Sequence, residues 1–509
     1  MTKKLFFYVV ALFLLTLASR IILATFHNAN YGGLDMNVVY GIQRILAGEP
    51  LYQDPNLPTY AIMQYSPLFY HTAAATAKVF GIGSHEVQAI YVVARSLNIL
   101  FNLVTVLLTV GIISMWSFPR RRVLTYALPV LMIVTMEYYT RGDSLHLMFF
   151  VASIYATLRY LENRTLGYLV LAAIAAGCSV MSKQSGILSI GIIGFHLFFV
   201  TREYARAILF GIMSLATAAG VAWMCTGGDW LAFYQNAYLG LKNGIGWDWL
   251  YTIFTSQFYY DLILFYFLGG IIAYHAFKHT TDKRYRFIGT GAVLSFLFAL
   301  ITGLKIGSGN NYFTEFIFFG LCGLPILLDS DFSSRRLFQL GKYTVTVRRF
   351  ASIAFFVLIS SKTLGLVSSI YIERWVRDKG EVYNAQQKLH AYFVANNMLR
   401  KGDYIYFSKR DFLDNIFIGH SLLPTKDVTN QVYRSNPGTY NYDTLIEGMN
   451  KGYIKYIVTP TEDSSINAKD EEVPFVHFED SSFSRIADIE GHSIYQYKTS
   501  ESQLRQATQ

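Results

Sequence analysis

Met1-Thr2-Lys3-Lys4-Leu5-Phe6-Phe7-Tyr8-Val9-Val10-Ala11-Leu12-Phe13-Leu14-Leu15 opens the chain, which stays mostly apolar to position 25. Crossing a bilayer as a helix takes roughly 20 such residues. The run is long, and Phe26-His27-Asn28 follows it rather than a small-x-small cleavage site. It is therefore expected to remain as an anchor, not to leave as a signal peptide. Ten further apolar runs lie near 87–116, 123–140, 144–160, 166–182, 185–200, 206–226, 257–277, 287–304, 311–328 and 350–374. Only 15% of the 509 residues are charged and 53% are apolar. A soluble domain carries about a quarter charged residues. The expected fold is a polytopic α-helical membrane protein of about eleven transmembrane helices.

The net charge of +9 is sorted rather than spread. Arg120-Arg121-Arg122, Arg202/Arg206, Lys278/Lys283/Arg284/Arg286 and Arg335/Arg336/Lys342/Arg348/Arg349 fall in alternate loops. Lys and Arg accumulate on the cytosolic side of short loops. The N-terminus is thus expected in the cytosol and the C-terminal tail outside, across what we take to be a bacterial inner membrane. This distribution argues against nucleic acid as a partner. Cys178, Cys225 and Cys322 all fall in predicted spans, so no disulfide framework is expected in the tail.

Two parts follow: a membrane domain, 1–374, and a polar C-terminal domain, 375–509. In the second part, a helical run from Glu381 to Leu399 ends near Gly402 and leads into Tyr404-Ile405-Tyr406-Phe407. Another, Tyr442 to Asn450, ends near Gly452 and leads into Tyr453-Ile454-Lys455-Tyr456-Ile457-Val458. Helix, glycine, then a β-rich run reads as a small α/β soluble domain. The last ten residues are expected to fray. The first exterior loop, 26–86, has helical spacing over Met36 to Ala47 and over Pro67 to Phe80, as in helices lying in the membrane interface.

Four candidate motifs share the exterior side. Asp35, in Gly32-Gly33-Leu34-Asp35-Met36-Asn37, reads either as a helix N-cap or as a general base beside the bilayer. Asp143, in Thr140-Arg141-Gly142-Asp143-Ser144, reads either as the partner of Arg141 or as a second carboxylate that orients an acceptor or holds a metal. Ionisable groups at membrane depth are costly and default to function. Arg141 is alternatively placed to face a phosphate. Lys183 and Gln184 form another exterior turn, where a lysine can simply snorkel to the interface. Gly303-Leu304-Lys305-Ile306-Gly307-Ser308-Gly309-Asn310-Asn311-Tyr312-Phe313-Thr314-Glu315 opens a helix with free N–H groups beside a lysine, the most phosphate-like loop in the chain. No P-loop, HExxH, paired CxxC or nucleophile elbow is supported.

These motifs, with Gly48-Glu49-Pro50-Leu51-Tyr52 and Tyr65-Ser66-Pro67-Leu68-Phe69, resemble in their order the GT-C superfamily of polyprenyl-phosphate-sugar-dependent glycosyltransferases. The superfamily includes the protein O-mannosyltransferases and the lipid A aminoarabinose transferases. The resemblance covers most of residues 1–330. It implies a glycosyltransferase of the cell envelope with a periplasmic active site. It further implies Asp35 as catalytic carboxylate and Asp143 as the acidic residue of the second loop. Arg141, Lys183, Gln184, Lys305, Asn311, Tyr312, Glu315 and Tyr65 would bind donor phosphate or substrate. The implied partners are a polyprenyl-phosphate sugar, a glycan, lipid or protein acceptor, and membrane lipid. It implies no particular cofactor and leaves a divalent metal open. Many members carry an acidic residue beside the first-loop aspartate, where Met36 stands here.

Three other readings compete. An oligosaccharide polymerase or ligase using a diphospholipid donor needs more converging cations than these loops offer. A transporter would show repeats and broken mid-membrane helices, which are not evident. A non-catalytic assembly protein would have less need of Asp35.

Overall fold

The computed structural model describes residues 3–27, 35–133, 140–252, 260–340, 343–375, 379–408, 412–451, 454–462, 478 and 480–498. The glycines before Asp35, the third apolar run beyond 133, the strand start at Tyr453 and the expected frayed end lie outside these residues.

Every apolar run becomes helical where described. The first is α1 (Lys3–Ala24). The exterior loop folds as α2 (Asp35–Leu46) and α3 (Leu68–Val79), within a residue or two of the expected bounds. The second run is α4 (Val87–Ser114). The third is not one rod: α5 (Arg120–Ala127) breaks at Leu128-Pro129 and resumes as α6 (Val130–Ile133), because Pro129 has no N–H to continue the ladder. Then come α7 (Asp143–Asn163), α8 (Leu166–Ser182), α9 (Ile187–Phe195) and α10 (Tyr204–Thr226). Two short helices, α11 (Trp230–Phe233) and α12 (Trp247–Thr252), lead to α13 (Tyr260–Lys278), α14 (Lys283–Gly303), α15 (Thr314–Asp329) and α16 (Val347–Trp375). The basic loop between α15 and α16 carries an unforeseen antiparallel hairpin, β1 (Arg336–Leu340) and β2 (Tyr343–Thr346).

Seven helices among the described residues are long and apolar enough to cross a membrane: α1, α4, α7, α10, α14, Asn311–Asp329 and Val347–Ser368. Their outward residues stay apolar; Leu107, Ile212, Met224, Ile301 and Leu364 are all exposed. That is the pattern of a bundle whose solvent is lipid.

The C-terminal part contains α17 (Gly380–Ala395), α18 (Leu413–Ile416), α19 (Lys426–Ser435) and α20 (Asp443–Lys451). They accompany a four-stranded sheet ordered β3 (Tyr404–Phe407), β4 (Ile454–Pro460), β6 (His492–Tyr497), β5 (Phe483–Ile489). β3 and β4 run parallel, and β6 is antiparallel to both neighbours. This sheet shares a core with the first loop: Val38, Val39 and Ile42 of α2 cluster with Phe412, Leu413 and Ile416. Buried amides seal the joint. The Gln43 side chain donates to the Asn415 carbonyl at 2.8 Å, and Asn415 Nδ2 returns bonds to Gln43 Oε1 (2.9 Å) and to the Met36 carbonyl (3.2 Å).

Candidate functional site

The starts of α7 and α15 meet the end of α8. Gly142 makes this possible: a Cβ there would stand 2.6 Å from the Ser182 carbonyl oxygen and 3.2 Å from Cβ of Phe69. Without a side chain at 142, the start of α7 touches the end of α8, and Asp143 faces Lys183. Lys183 Nζ donates to Asp143 Oδ1 at 2.5 Å, and Asn311 Nδ2 donates to the same oxygen at 3.2 Å. Arg141 Nε lies 3.6 Å from Asp143 Oδ2. The Lys183 ammonium sits 5.4 Å from the centre of the Tyr312 ring, within cation–π range. Burial works against this ammonium, but Asp143 outweighs it and holds the group above its ordinary range. The snorkelling alternative for Lys183 is therefore not what the fold uses.

Lys305 lies next to this cluster. Its strand-like main chain pairs with Ile245, and the Ile306 N–H donates to the Gly244 carbonyl. Its Nζ has no hydrogen bond or ion pair among the described residues. Burial, then the charge of Lys183, bring its pKa down to about 8. Tyr65 senses the charges of Arg141, Asp143 and Lys183, and burial keeps its phenol protonated by raising its pKa. Arg141, Asp143, Lys183, Lys305, Asn311, Tyr312 and Tyr65 thus form one neighbourhood.

Asp35 is the first residue of α2 and is fully buried. Neither carboxylate oxygen has a hydrogen-bond partner among the described residues, so the N-cap reading does not describe it. The Thr140 hydroxyl turns instead to the Asp35 carbonyl, at 3.5 Å. Burial raises the Asp35 pKa from 3.8 to about 7, and the charges of Arg141 and Arg95 draw it back only in part. A buried carboxylate is a stronger base than one in solvent. Arg141 connects the two halves of the site, because it acts on both Asp35 and Asp143.

Gln184 and Glu315 do not join this neighbourhood. Gln184 Nε2 donates to the carbonyls of Gln64 (2.9 Å) and Ala237 (3.1 Å), which fastens the first loop to the bundle. Glu315 is buried against His146, its Oε1 at 2.8 Å from Nε2. Sequence reasoning missed His146 and Arg95. Both are ionisable residues inside apolar helices, and that was the available signal. Arg95 donates to the Phe26 carbonyl at 2.8 Å and covers the Tyr91 ring.

A divalent metal does not suit these residues. Among the described residues no three His, Cys, Asp or Glu side chains are grouped to hold one. Asp143 already faces an ammonium and a guanidinium, and the charges acting on Asp35 are those of Arg141 and Arg95.

No family model and no curated protein matches the chain. Solved structures do. ArnT from Cupriavidus metallidurans, bound to undecaprenyl phosphate, is similar over 96% of this chain and 98% of its own, at 13% identity and a TM-score of 0.59. The archaeal oligosaccharyltransferase AglB from Archaeoglobus fulgidus, in complex with an inhibitory peptide and a dolichol-phosphate, matches 89% of this chain and 69% of its own, at 12% identity and a TM-score of 0.55. At such identities the likeness speaks for the fold. This chain is an integral membrane protein with the GT-C fold.

Proposed function

We propose that the protein is a glycosyltransferase that moves a sugar from a polyprenyl phosphate to an acceptor hydroxyl at the outer, periplasmic face of the membrane. The observation that carries the reading is Asp35, a fully buried carboxyl whose pKa burial raises to about 7 against the pull of Arg141 and Arg95. In the proposed step Asp35 takes the proton of the acceptor hydroxyl. The hydroxyl oxygen bonds to the anomeric carbon from one face. The carbon–oxygen bond to the phosphate breaks on the other, and the phosphate leaves with the electron pair. One displacement inverts the anomeric centre.

The leaving phosphate needs positive charge that is in place beforehand. Among the described residues Lys305 makes no ion pair and would provide it, with Arg141 and Lys183 behind it, both tied to Asp143. One uncommitted lysine suits a monophosphate donor better than a diphosphate. The undecaprenyl phosphate of the ArnT structure and the dolichol-phosphate of the AglB structure support a lipid phosphate as ligand. A prenyl tail stays in the bilayer, so its headgroup must be met at the interface, where the exterior helices α2 and α3 would enclose it.

The test is a transfer assay of the purified protein with a panel of prenyl-phosphate sugars. One donor is expected to be consumed, and Asp35→Asn should abolish its turnover while leaving expression intact. Near-normal turnover in that variant would remove the mechanism.

A further inference from the structure

A second polar chain lies beneath the first on the same three helices. Above, Lys183, Asp143 and Asn311 are joined. Below, Ser179 Oγ is 2.8 Å from His146 Nδ1, and His146 Nε2 is 2.8 Å from Glu315 Oε1. Ser179 Oγ also donates to the His146 carbonyl at 3.1 Å. Ser179 precedes Lys183 by four residues, His146 follows Asp143 by three, and Glu315 follows Asn311 by four. Residues so spaced stack on one helix face, about 5.4 Å apart along the axis. Asp143 and His146 share one face of α7, Lys183 is the residue that caps the end of α8, and Asn311 lies in the short 3-10 turn (Asn310–Phe313) that leads into α15. All three members of the lower layer are buried.

We propose that the Ser179–His146–Glu315 layer is a positioning device. It fixes the register of α8 and α15 on α7, and so holds Lys183 and Asn311 against Asp143. Apolar helix faces slide and rotate at little cost, because lipid and side chain attract them alike. A buried carboxylate has far fewer acceptable positions, since moving it off its donor leaves it unsolvated. Glu315 therefore sets where α15 begins, and with it the 3-10 turn just before, where Asn311 and Tyr312 stand. Ser179 does the same for the last turn of α8, after which Lys183 follows as its cap, its N–H bonded to the Ser179 carbonyl. His146 touches neither of these end residues, so it acts through them.

Acylation of Lys183 by an amine-reactive acetyl ester, read by mass spectrometry, reports this positioning without any substrate. The exposed Lys388 serves as the internal reference. In the folded wild type Lys183 is buried and salt-bridged and should label slowly. His146→Phe keeps the bulk but strands Glu315, and is expected to speed Lys183 labelling at least tenfold relative to Lys388. His146→Gln restores a donor toward Glu315 and should recover most of the protection. Unchanged Lys183 labelling in folded His146→Phe overturns the proposal. Should that variant not fold, Ser179→Ala removes one link without orphaning a charge. It is expected to raise labelling several-fold, and an unchanged rate there overturns the proposal equally. Affinity for undecaprenyl phosphate provides a second readout, which rests on the proposed function. It should fall about tenfold in His146→Phe and return in His146→Gln. A wild type that does not bind this lipid refutes the donor reading, while the labelling still decides the layer.

Discussion

Asp35 is kept where its charge is costly. Its folded pKa lies above the ordinary 3.8, so the folded state binds the proton more tightly than the unfolded chain does. Stability from this group is greatest below about pH 4, falls as pH rises through about 7, and is constant above. Asp35→Asn removes that loss. The variant is expected to melt several degrees above the wild type at pH 8 in the same detergent, with the gain vanishing near pH 4, while transfer drops by a factor on the order of a thousand or more. A melting difference independent of pH would show that the carboxyl is not the strained group. Activity has its own pH signature. The base must be deprotonated and Lys305 protonated, with pKa values of about 7 and about 8. The kcat/KM profile is therefore expected to be a narrow bell with limbs near these values. Lys305→Gln should erase the alkaline limb and raise the donor KM at least tenfold, which steady-state kinetics across pH will measure.

Among the elements, the start of α7 comes close enough to the end of α8 to exclude a side chain at Gly142. Gly142→Ala would drive a methyl group into the Ser182 carbonyl, and a backbone atom cannot swing aside. The helices must part, at a cost of about 1–3 kcal/mol. A lowered Tm together with loss of Lys183 protection from acylation is expected. Most helices were legible from the chain because hydrophobic runs and turn residues are local signals. α2, α3 and β3 needed nothing else. The break at Pro129 was also written locally, but the run of apolar residues on either side hid it. The β5–β6 hairpin was missed because the exposed, interrupted alternation of Phe483–Ile489 reads as a strand only beside its partner. The candidate site divides in the same way. Asp143 and Lys183 were each conspicuous, but their contact joins residues forty positions apart, and no spacing rule foretells it. The burial of Asp35 depends in part on Asn415, 380 residues later, whose side chain holds the Met36 carbonyl.

At the scale of the molecule, the C-terminal part is built into the candidate site's face of the bundle rather than hung from it. Ile62 N–H donates to Thr425 Oγ1 at 2.8 Å, Leu423 N–H to the Thr59 carbonyl at 2.9 Å, and Tyr440 OH to the Gln235 carbonyl at 2.8 Å. With the shared apolar core, these bonds should make the two parts melt together. A single calorimetric transition is expected, and two separated ones would contradict the packing described. Asn415→Ala leaves Gln43 short of a partner and loosens the start of α2. It should lower stability by about 1–3 kcal/mol and reduce kcat more than donor affinity. Thermal melts and initial-rate kinetics on one preparation check both.

The interlock of Gln43 with Asn415 bears on how proteins of this fold can be rebuilt. Recombining one homologue's tail with another's bundle would cut through a single core and orphan the amides on both sides. A functional chimera would have to carry residues 35–66 and the tail as one cassette, inherited together.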